Sequence, residues 1–401
     1  MMSLADQDWL ASSATRAVMK ALAQAGGPDC ARFVGGCVRN AVLGAPVDDI
    51  DIATQLRPDQ VVAALKAARL RAIPTGIEHG TVTALSEHQP YEITTLRRDV
   101  ETDGRRATVA FTTDWAEDAA RRDFRLNALY ADADGVIHDP TGQGLADAEA
   151  GRIIFVGDAR QRIREDYLRI LRFFRFHAWY GRGAADAEAL QACTDLAEGV
   201  RTLSAERVSR ELLKLLKAAD PRAAVRQMHQ AGVLDRILGT AANLDLFDPM
   251  VPLSPDPLMR LSALWPDRAE AVAERARALR LSNAERDRLV EAVAAALSLP
   301  LEPRDARAIL YQIGPQAFAD RVLRARAAGG DGEAAAAALA VAQAWQRPRL
   351  PVGGRDLARL GLRPGPETGR ILKAFEASWI ADDFPDHGHE ARLRALVASQ
   401  A

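Results

Sequence analysis

Cysteine is nearly absent from this 401-residue chain: Cys30, Cys37 and Cys193 are the whole complement. They make no CxxC or other zinc spacing, and three is an odd number, which argues against a disulfide framework or a structural zinc site. The expected compartment is therefore reducing, with the cytoplasm as default. Aromatic residues are scarce at 5%. Long apolar runs are missing as well. The alanine-rich stretch from Ala334 to Trp345 is too short to cross a bilayer and reads as a buried helix. The opening MMSLADQDWLASSATRAVMKAL has early acids and no apolar core, unlike a signal peptide. No membrane partner is expected. A net charge of only −2 gives no bulk electrostatic reason to expect nucleic acid.

What is present is more informative. Apolar content of 48% and charged content of 26% are those of a globular protein, long enough here for two or more domains. Abundant Ala, Leu and Arg favour helix. Locally the charge is uneven: seven Arg between Arg160 and Arg182 face only Glu165 and Asp166.

The first half mixes periods. RFVGG and DIDIAT read as strands around a short helix from Val38 to Leu43, and Pro58 to Arg69 reads as a helix with Pro in its first turn. HGTVTAL and YEITTLR alternate like paired strands. Arg98 to Arg106, with Asp103-Gly104, reads as a mobile loop. A short strand follows between Gly135 and Pro140. After Asp158 the pattern is helical only. Ile163, Leu168, Leu171, Phe174 and Ala178 fit one long amphipathic helix, and Ser282 with Glu285 forms a capping box. The Pro-rich passage from Asp248 to Pro257 reads as a linker, and the segment after Pro348 as helix-loop-helix.

Chemistry concentrates in FVGGCVRNAVLGAPVDDIDIAT. Residues two apart on a strand share a face, so Asp49 and Asp51 would point together while Ile50 and Ile52 turn to the core. Adjacent carboxylates repel unless a cation lies between them, and hard oxygen ligands suit Mg²⁺. Gly35-Gly36 allows close approach of backbone amides to a phosphate, and Arg39 adds a fixed positive charge. A phosphate cradle followed by a metal-binding strand is the logic of phosphoryl or nucleotidyl transfer. A lone Asp-x-Asp is more often a solvated pair, and a lone Glu92 a solvated strand residue. In RRDFRLNAL, two readings of Arg122 and Asp123 stand side by side. They hold triphosphate and ribose, or they form a salt-bridge cluster at a helix end.

REDYLRILRFFRF discriminates best. Asp166 and Arg169, three apart on a helix, can reach one shared edge, as an ordinary ion pair would. Carboxylate only accepts and guanidinium only donates. Cytosine and adenine offer an exocyclic amine donor beside a ring-nitrogen acceptor, so such a pair welcomes C and A and refuses G and U. Arg172 and Arg175 continue that face toward phosphates or primer RNA.

Taken in order, GGCVRNAVLG with Asp49-Ile50-Asp51, TGIEHGTVT, EITTLRRD, RRDFRLNAL, DPTGQGLAD and REDYLRILRFFRFHA resemble the class II tRNA nucleotidyltransferases. These are the CCA-adding branch of a polymerase-β-like superfamily that also contains bacterial poly(A) polymerases. TLSAERVSREL resembles the family's helix-start motif. The likeness spans roughly residues 32 to 216, with a less specific echo in GRDLARLGLRPGPETGRIL.

The resemblance implies an α+β multidomain fold: a polymerase-β-like head with a small mixed sheet over residues 1–157, a helical neck over 158–240, and a helical body and tail over 241–401. It implies addition of C, C and A to tRNA 3′ ends from CTP and ATP, with Mg²⁺ on Asp49 and Asp51. Glu92 would support that pair. Gly36, Arg39, Arg122 and Asp123 would hold triphosphate and ribose. Asp166 and Arg169 would act as an amino-acid template assisted by Arg172 and Arg175. The element around Asp103-Gly104-Arg105-Arg106 would serve addition of the final A, and Gly142 and Gly144 would mark the bend between head and neck. Asn40 stands where many members have Asp, and no His-Asp phosphohydrolase pair is found. Rival readings are a poly(A) polymerase, a partial CC- or A-adding enzyme, or an inactive RNA-binding module. The basic C-terminal extension usual in the poly(A) enzymes is missing, and oligomeric state is not legible. Gly365 to Gly369 reads either as a tight inter-helix turn or as a phosphate-facing helix start.

Overall fold

Alternating burial along two strands gives the sheet its two unlike faces. The computed structural model describes residues 3–103, 106–266 and 268–399, with the side chains of residues 99–109 outside that description. Two compact units divide between Ala241 and Ala242.

The first unit opens with helices α1 (Asp8–Ala11) and α2 (Ser13–Gly26). Next come β1 (Ala31–Val34), α3 (Gly36–Val42), β2 (Ile50–Thr54), α4 (Pro58–Ala67), β3 (Arg71–Gly76), β4 (Thr81–Ser86) and β5 (Gln89–Thr95). The hairpin β6 (Arg97–Asp103) and β7 (Arg106–Phe111) leads to α5 (Trp115–Ala120), β8 (Tyr130–Ala131), β9 (Ile137–His138) and α6 (Gly144–Ala150). The main sheet has the order β3-β4-β5-β2-β1-β8-β9. Its β2–β5 pair is parallel and its other neighbours are antiparallel. Ile52, Val82 and Ile93 are fully buried on one face, where α2 and α4 pack. On the other, Asp51, Glu92 and Thr83 fall in one row across three strands. That open polar row is what the alternation predicts.

Helices follow: α7 (Ala159–Glu165), α8 (Leu168–Tyr180), α9 (Ala187–Asp195), α10 (Ala205–Leu216), α11 (Arg222–Gln230) and α12 (Val233–Leu238). The scarce aromatics gather here. Phe124 lies 4.8 Å from Phe155 and 5.1 Å from Phe176 between ring centroids, and Phe155 stacks on Phe173. This cluster fastens the end of the sheet region to α8, since buried aromatic pairs contribute beyond their area.

The second unit is helical throughout its described residues, from α13 (Leu244–Leu253), α14 (Pro257–Leu264), α15 (Ala269–Ala278) and α16 (Asn283–Val293) to the long α17 (Pro303–Ala327). It ends with α18 (Gly332–Gln343), α19 (Gly354–Arg359), α20 (Pro366–Ala381) and α21 (His389–Ala398). One core lies between α17 and α18, and another gathers Leu357, Ile371, Phe375 and Trp379. No helix among the described residues is long and apolar enough to cross a membrane.

Three local expectations are corrected. Arg98 to Arg106 is not a loop: Arg97 pairs with Phe111 and Val100 with Thr108 in a two-stranded ladder. Gly104 and Arg105, and the side chains of the Asp103-Gly104-Arg105-Arg106 element, lie outside the described residues. The passage from Asp248 to Pro257 is not a linker, because Pro249 sits inside α13, where Phe247, Met250 and Val251 are buried. Burial of those side chains outweighs the lost backbone donor. The helix expected across Ile163 to Ala178 breaks at Asp166, whose backbone is extended (φ −156°, ψ 106°). By contrast, Glu285 and Ser282 form the expected reciprocal cap, and Ala334 begins no span but one face of α18, with Ala335, Ala338 and Ala342 buried.

Candidate active site

The parallel register of β2 and β5 sets Asp51 beside Glu92, with Ile50 opposite Tyr91 and Ile52 opposite Ile93. Ile50 and Ile52 are buried, so Asp51 turns to the open face. Asp49 lies just ahead of the first residue of β2 rather than inside it, and is exposed. Burial, then the neighbouring Glu92 and Asp49 carboxylates, push the Asp51 carboxyl up to about 6, while Arg122 and Arg39 pull the other way. Two carboxylates and two guanidinium groups therefore act on Asp51.

Those two guanidinium groups flank the glycine pair. Gly35 adopts φ +71°, a conformation that favours glycine, and turns the chain from β1 into α3. A Cβ on Gly35 would sit 3.8 Å from Arg122 Nη1, and one on Gly36 would sit 3.9 Å from Arg39 Nη2.

Arg122 is fixed from behind. The buried Asp118 accepts from Arg122 Nη2 at 2.9 Å, from Arg121 Nε at 2.8 Å and from the Tyr130 hydroxyl at 2.7 Å. Burial alone would raise the Asp118 carboxyl, but Arg122 and Arg121 hold it down at about 2. Arg39 is gripped differently, by neutral acceptors only. Its Nη1 donates to Asn127 Oδ1 at 2.6 Å, and its Nη2 donates to Asn40 Oδ1 and the Tyr180 hydroxyl, each at 2.9 Å. The guanidinium also lies 4.4 Å from the Tyr180 ring centroid. Asn40 in turn donates to the Pro46 carbonyl at 2.7 Å. With Asn rather than Asp here, the hydrogen bonds survive and position 40 adds no negative charge beside Arg39.

Asp123 is buried and fully engaged. Oδ1 accepts from Phe124 N and Asn127 Nδ2, and Oδ2 accepts from Arg172 Nε at 2.7 Å. Burial opposes its charge, but Arg172 and Asn127 keep its carboxyl below the usual range. A continuous chain thus runs Arg172–Asp123–Asn127–Arg39–Tyr180, from α8 into the sheet region and back to α8.

Asp166 and Arg169 stand at the break between α7 and α8, not along one helix. Asp166 Oδ1 accepts from Leu168 N, the first residue of α8, at 3.1 Å, while Oδ2 accepts from Arg207 Nη2 at 2.6 Å. Arg169 bonds Glu165 and the Arg162 carbonyl, and reaches the Arg121 carbonyl at 3.2 Å, next to Arg122. Arg175 points elsewhere: its Nε donates to the buried Glu211 at 2.6 Å. Asp118, Asn127, Tyr180, Arg207 and Glu211 escaped sequence reasoning. Asp118 left a signal in its i+3 and i+4 spacing to Arg121 and Arg122, and Asn127 in its i+4 spacing from Asp123. The others act across long chain separations.

Among the described residues no group of three or more His, Cys, Asp or Glu side chains is drawn together to hold a metal ion by itself. The donor set still suits one kind of ion, since Mg²⁺ is commonly held by one or two carboxylates with substrate phosphates completing the shell.

Comparison with known proteins points the same way. Residues 31–154 match the poly A polymerase head domain family, and residues 185–244 match a family described as a probable RNA and SrmB-binding site of polymerase A. The chain is 35% identical over 369 residues to the mitochondrial CCA tRNA nucleotidyltransferase 1 of Mus musculus, covering 87% of this chain and 82% of that protein. It is 32% identical to the CCA-adding enzyme of Lacticaseibacillus paracasei, covering 89% of each. The crystal structure of the Bacillus stearothermophilus CCA-adding enzyme in complex with CTP superposes with a TM-score of 0.78 at 25% identity, over 97% of this chain and 99% of that one. The Thermotoga maritima CCA-adding enzyme complexed with tRNA shares the fold, with a TM-score of 0.69 at 18% identity over 96% and 95%.

Proposed function

The chain belongs to the tRNA nucleotidyltransferase/poly(A) polymerase family, on its CCA-adding branch, and we propose that its open sheet face is where the transfer takes place. The reaction is addition of C, C and A to tRNA 3′ ends from CTP and ATP, without a nucleic-acid template and with release of pyrophosphate. The observation that supports this site is the strand register that sets Asp51 beside Glu92 on the open face, with Arg122 and Arg39 flanking Gly35-Gly36.

Within that site Asp49 and Asp51 would hold Mg²⁺, and Glu92 would support them. When bound, the ion lowers the pKa of the primer hydroxyl and neutralises charge on the leaving pyrophosphate. Arg122, braced by Asp118, and Arg39, braced by neutral groups, receive the triphosphate beside Gly36. A guanidinium whose partners are neutral keeps its charge for the ligand. Asp123 and Arg172 steady the ribose end of the site. Asp166 accepts and Arg169 donates at the base edge, which selects C and A over G and U. Arg175, paired with Glu211, contributes by orienting α8. Residues 1–157 would be the catalytic head, 158–240 the neck for nucleotide selection and RNA binding, and 241–401 the tRNA-binding body and tail. The three cysteines are free and buried, in keeping with a reducing compartment such as the cytoplasm.

The test is incubation of tRNA lacking its terminus with each labelled NTP in turn. CTP and ATP are expected to be incorporated to a defined CCA end, and GTP and UTP refused. Long tails from ATP alone would replace this reading with poly(A) synthesis, and no incorporation would leave an inactive RNA-binding module.

A further inference from the structure

Helix α10 carries its charges unevenly. Val208, Leu212, Leu215 and Leu216 are buried, and Glu211 turns inward to Arg175. The outer face presents Arg207, Arg210, Lys214 and, at the helix end, Lys217, all exposed. Their spacing of three, four and three residues aligns them in one stripe. At about 1.5 Å per residue the ten-residue interval spans about 15 Å. Arg207 at its head is held by Asp166, the proposed base-reading carboxylate. Arg210, Lys214 and Lys217 have no ion-pair partner among the described residues. A run of uncompensated like charges on a helix is costly unless something anionic lies along it.

Beside the stripe stands an unusual aromatic. Trp179 on α8 is 46% exposed in a chain that buries most of its large apolar side chains. Its Nε1 donates to the Lys214 carbonyl at 2.7 Å, which fixes the indole against the middle of the stripe. A locked, exposed aromatic face flanked by cations is the combination that binds single-stranded nucleic acid, with phosphates on the charges and a base on the ring.

We propose that the outer face of α10 and the Trp179 indole form a track for the unpaired 3′ strand of the RNA primer, with one base stacked on Trp179 and its phosphates along Arg210, Lys214 and Lys217. This rests on the reading of Asp166 as part of the nucleotide site, and deepens it by naming how the strand reaches that site. Charge complementarity selects RNA over a protein partner, since the exposed charges after Glu206 on this helix are all cationic.

The test is steady-state CTP incorporation by the full chain and its variants Trp179→Ala, Trp179→Phe and Lys214→Glu, with KM measured separately for tRNA and CTP. Trp179→Ala is expected to raise the tRNA KM roughly ten-fold or more, the scale of a lost base–aromatic stack, and to leave the CTP KM unchanged. Trp179→Phe, which keeps a ring but loses the bond to Lys214, should recover most of that affinity. Lys214→Glu should weaken tRNA binding and flatten its dependence on salt. An active wild type whose variants keep the tRNA KM and salt slope would overturn the track, and would leave this face to a protein partner. A merely structural Trp179 would raise both KM values together, which also overturns it. A wild type that incorporates nothing would instead sink the transfer reading beneath it.

Discussion

At the scale of single residues, the site sets charge against burial and each side chain has a distinct expected failure. Asp49→Ala should lower nucleotide incorporation by about 10³-fold or more, in line with loss of a group that stabilises transferring charge. tRNA binding, measured by filter retention, should stay within two-fold of wild type. Unchanged turnover would remove Asp49 from the reaction. Asp51 carries a pH signature. Its carboxyl is held near 6, above the ordinary value of 3.8, so folding favours the protonated form. That contribution to stability is full below about pH 4 and is lost as pH rises through 6. Without divalent cations, Asp51→Asn should therefore be more stable than wild type at pH 7.5, by on the order of 2–3 kcal/mol at most. The difference should shrink toward zero at pH 4 in thermal melts, and Mg²⁺ should reduce it at pH 7.5. Asp118→Ala should do the reverse. It strands Arg121 and Arg122 beside a buried cavity, and a loss of about 3–5 kcal/mol is expected in urea titrations.

At the scale of elements, the break between α7 and α8 decides where Asp166 and Arg169 stand. A continuous helix would have spread Asp166 and Arg169 along one face. The break instead leaves Asp166 between the two helices, with one oxygen on Leu168 N and the other held by Arg207. Asp166→Ala should accordingly show two effects. Discrimination of CTP and ATP against GTP and UTP should relax in single-nucleotide assays, with transfer partly retained. Loss of the bonds to Leu168 N and Arg207 should also lower stability by about 1 kcal/mol. Discrimination that survives intact would dismiss Asp166 as a template. The sequence made the strands readable, because Ile50, Ile52 and Ile93 alternate with Asp51 and Glu92 at the period of two that a one-sided sheet demands. It did not make the helix break readable, since Ile163 through Ala178 keeps an apolar period across it. Nor could it pair Arg175 with Glu211 or Arg39 with Tyr180, because those partners meet only after α8 folds back on α10 and on the sheet region. Pro249 misled for the opposite reason: a local breaker was overruled by the burial of Phe247 and Met250.

At the scale of the whole molecule, every group assigned to chemistry or to base choice lies in the first unit, ahead of Ala242. That unit has its own core in the sheet and in the Phe124–Phe155–Phe173–Phe176 cluster. The second unit has separate cores around α17–α18 and α19–α21. Domains with independent cores can fold alone, which converts the division into an experiment. A protein of residues 1–241 should melt cooperatively and bind CTP within about three-fold of the full chain, since no residue proposed to touch the nucleotide is removed. Its tRNA KM should rise at least ten-fold, because RNA duplex is gripped through shape and phosphates over a broad surface that the helical second unit would supply. If residues 1–241 fold and add CCA with an unchanged tRNA KM, the second unit has no part in holding tRNA. The track along α10 would then be the principal RNA contact, and Trp179→Ala in that shorter protein should cost more affinity than it does in the full chain.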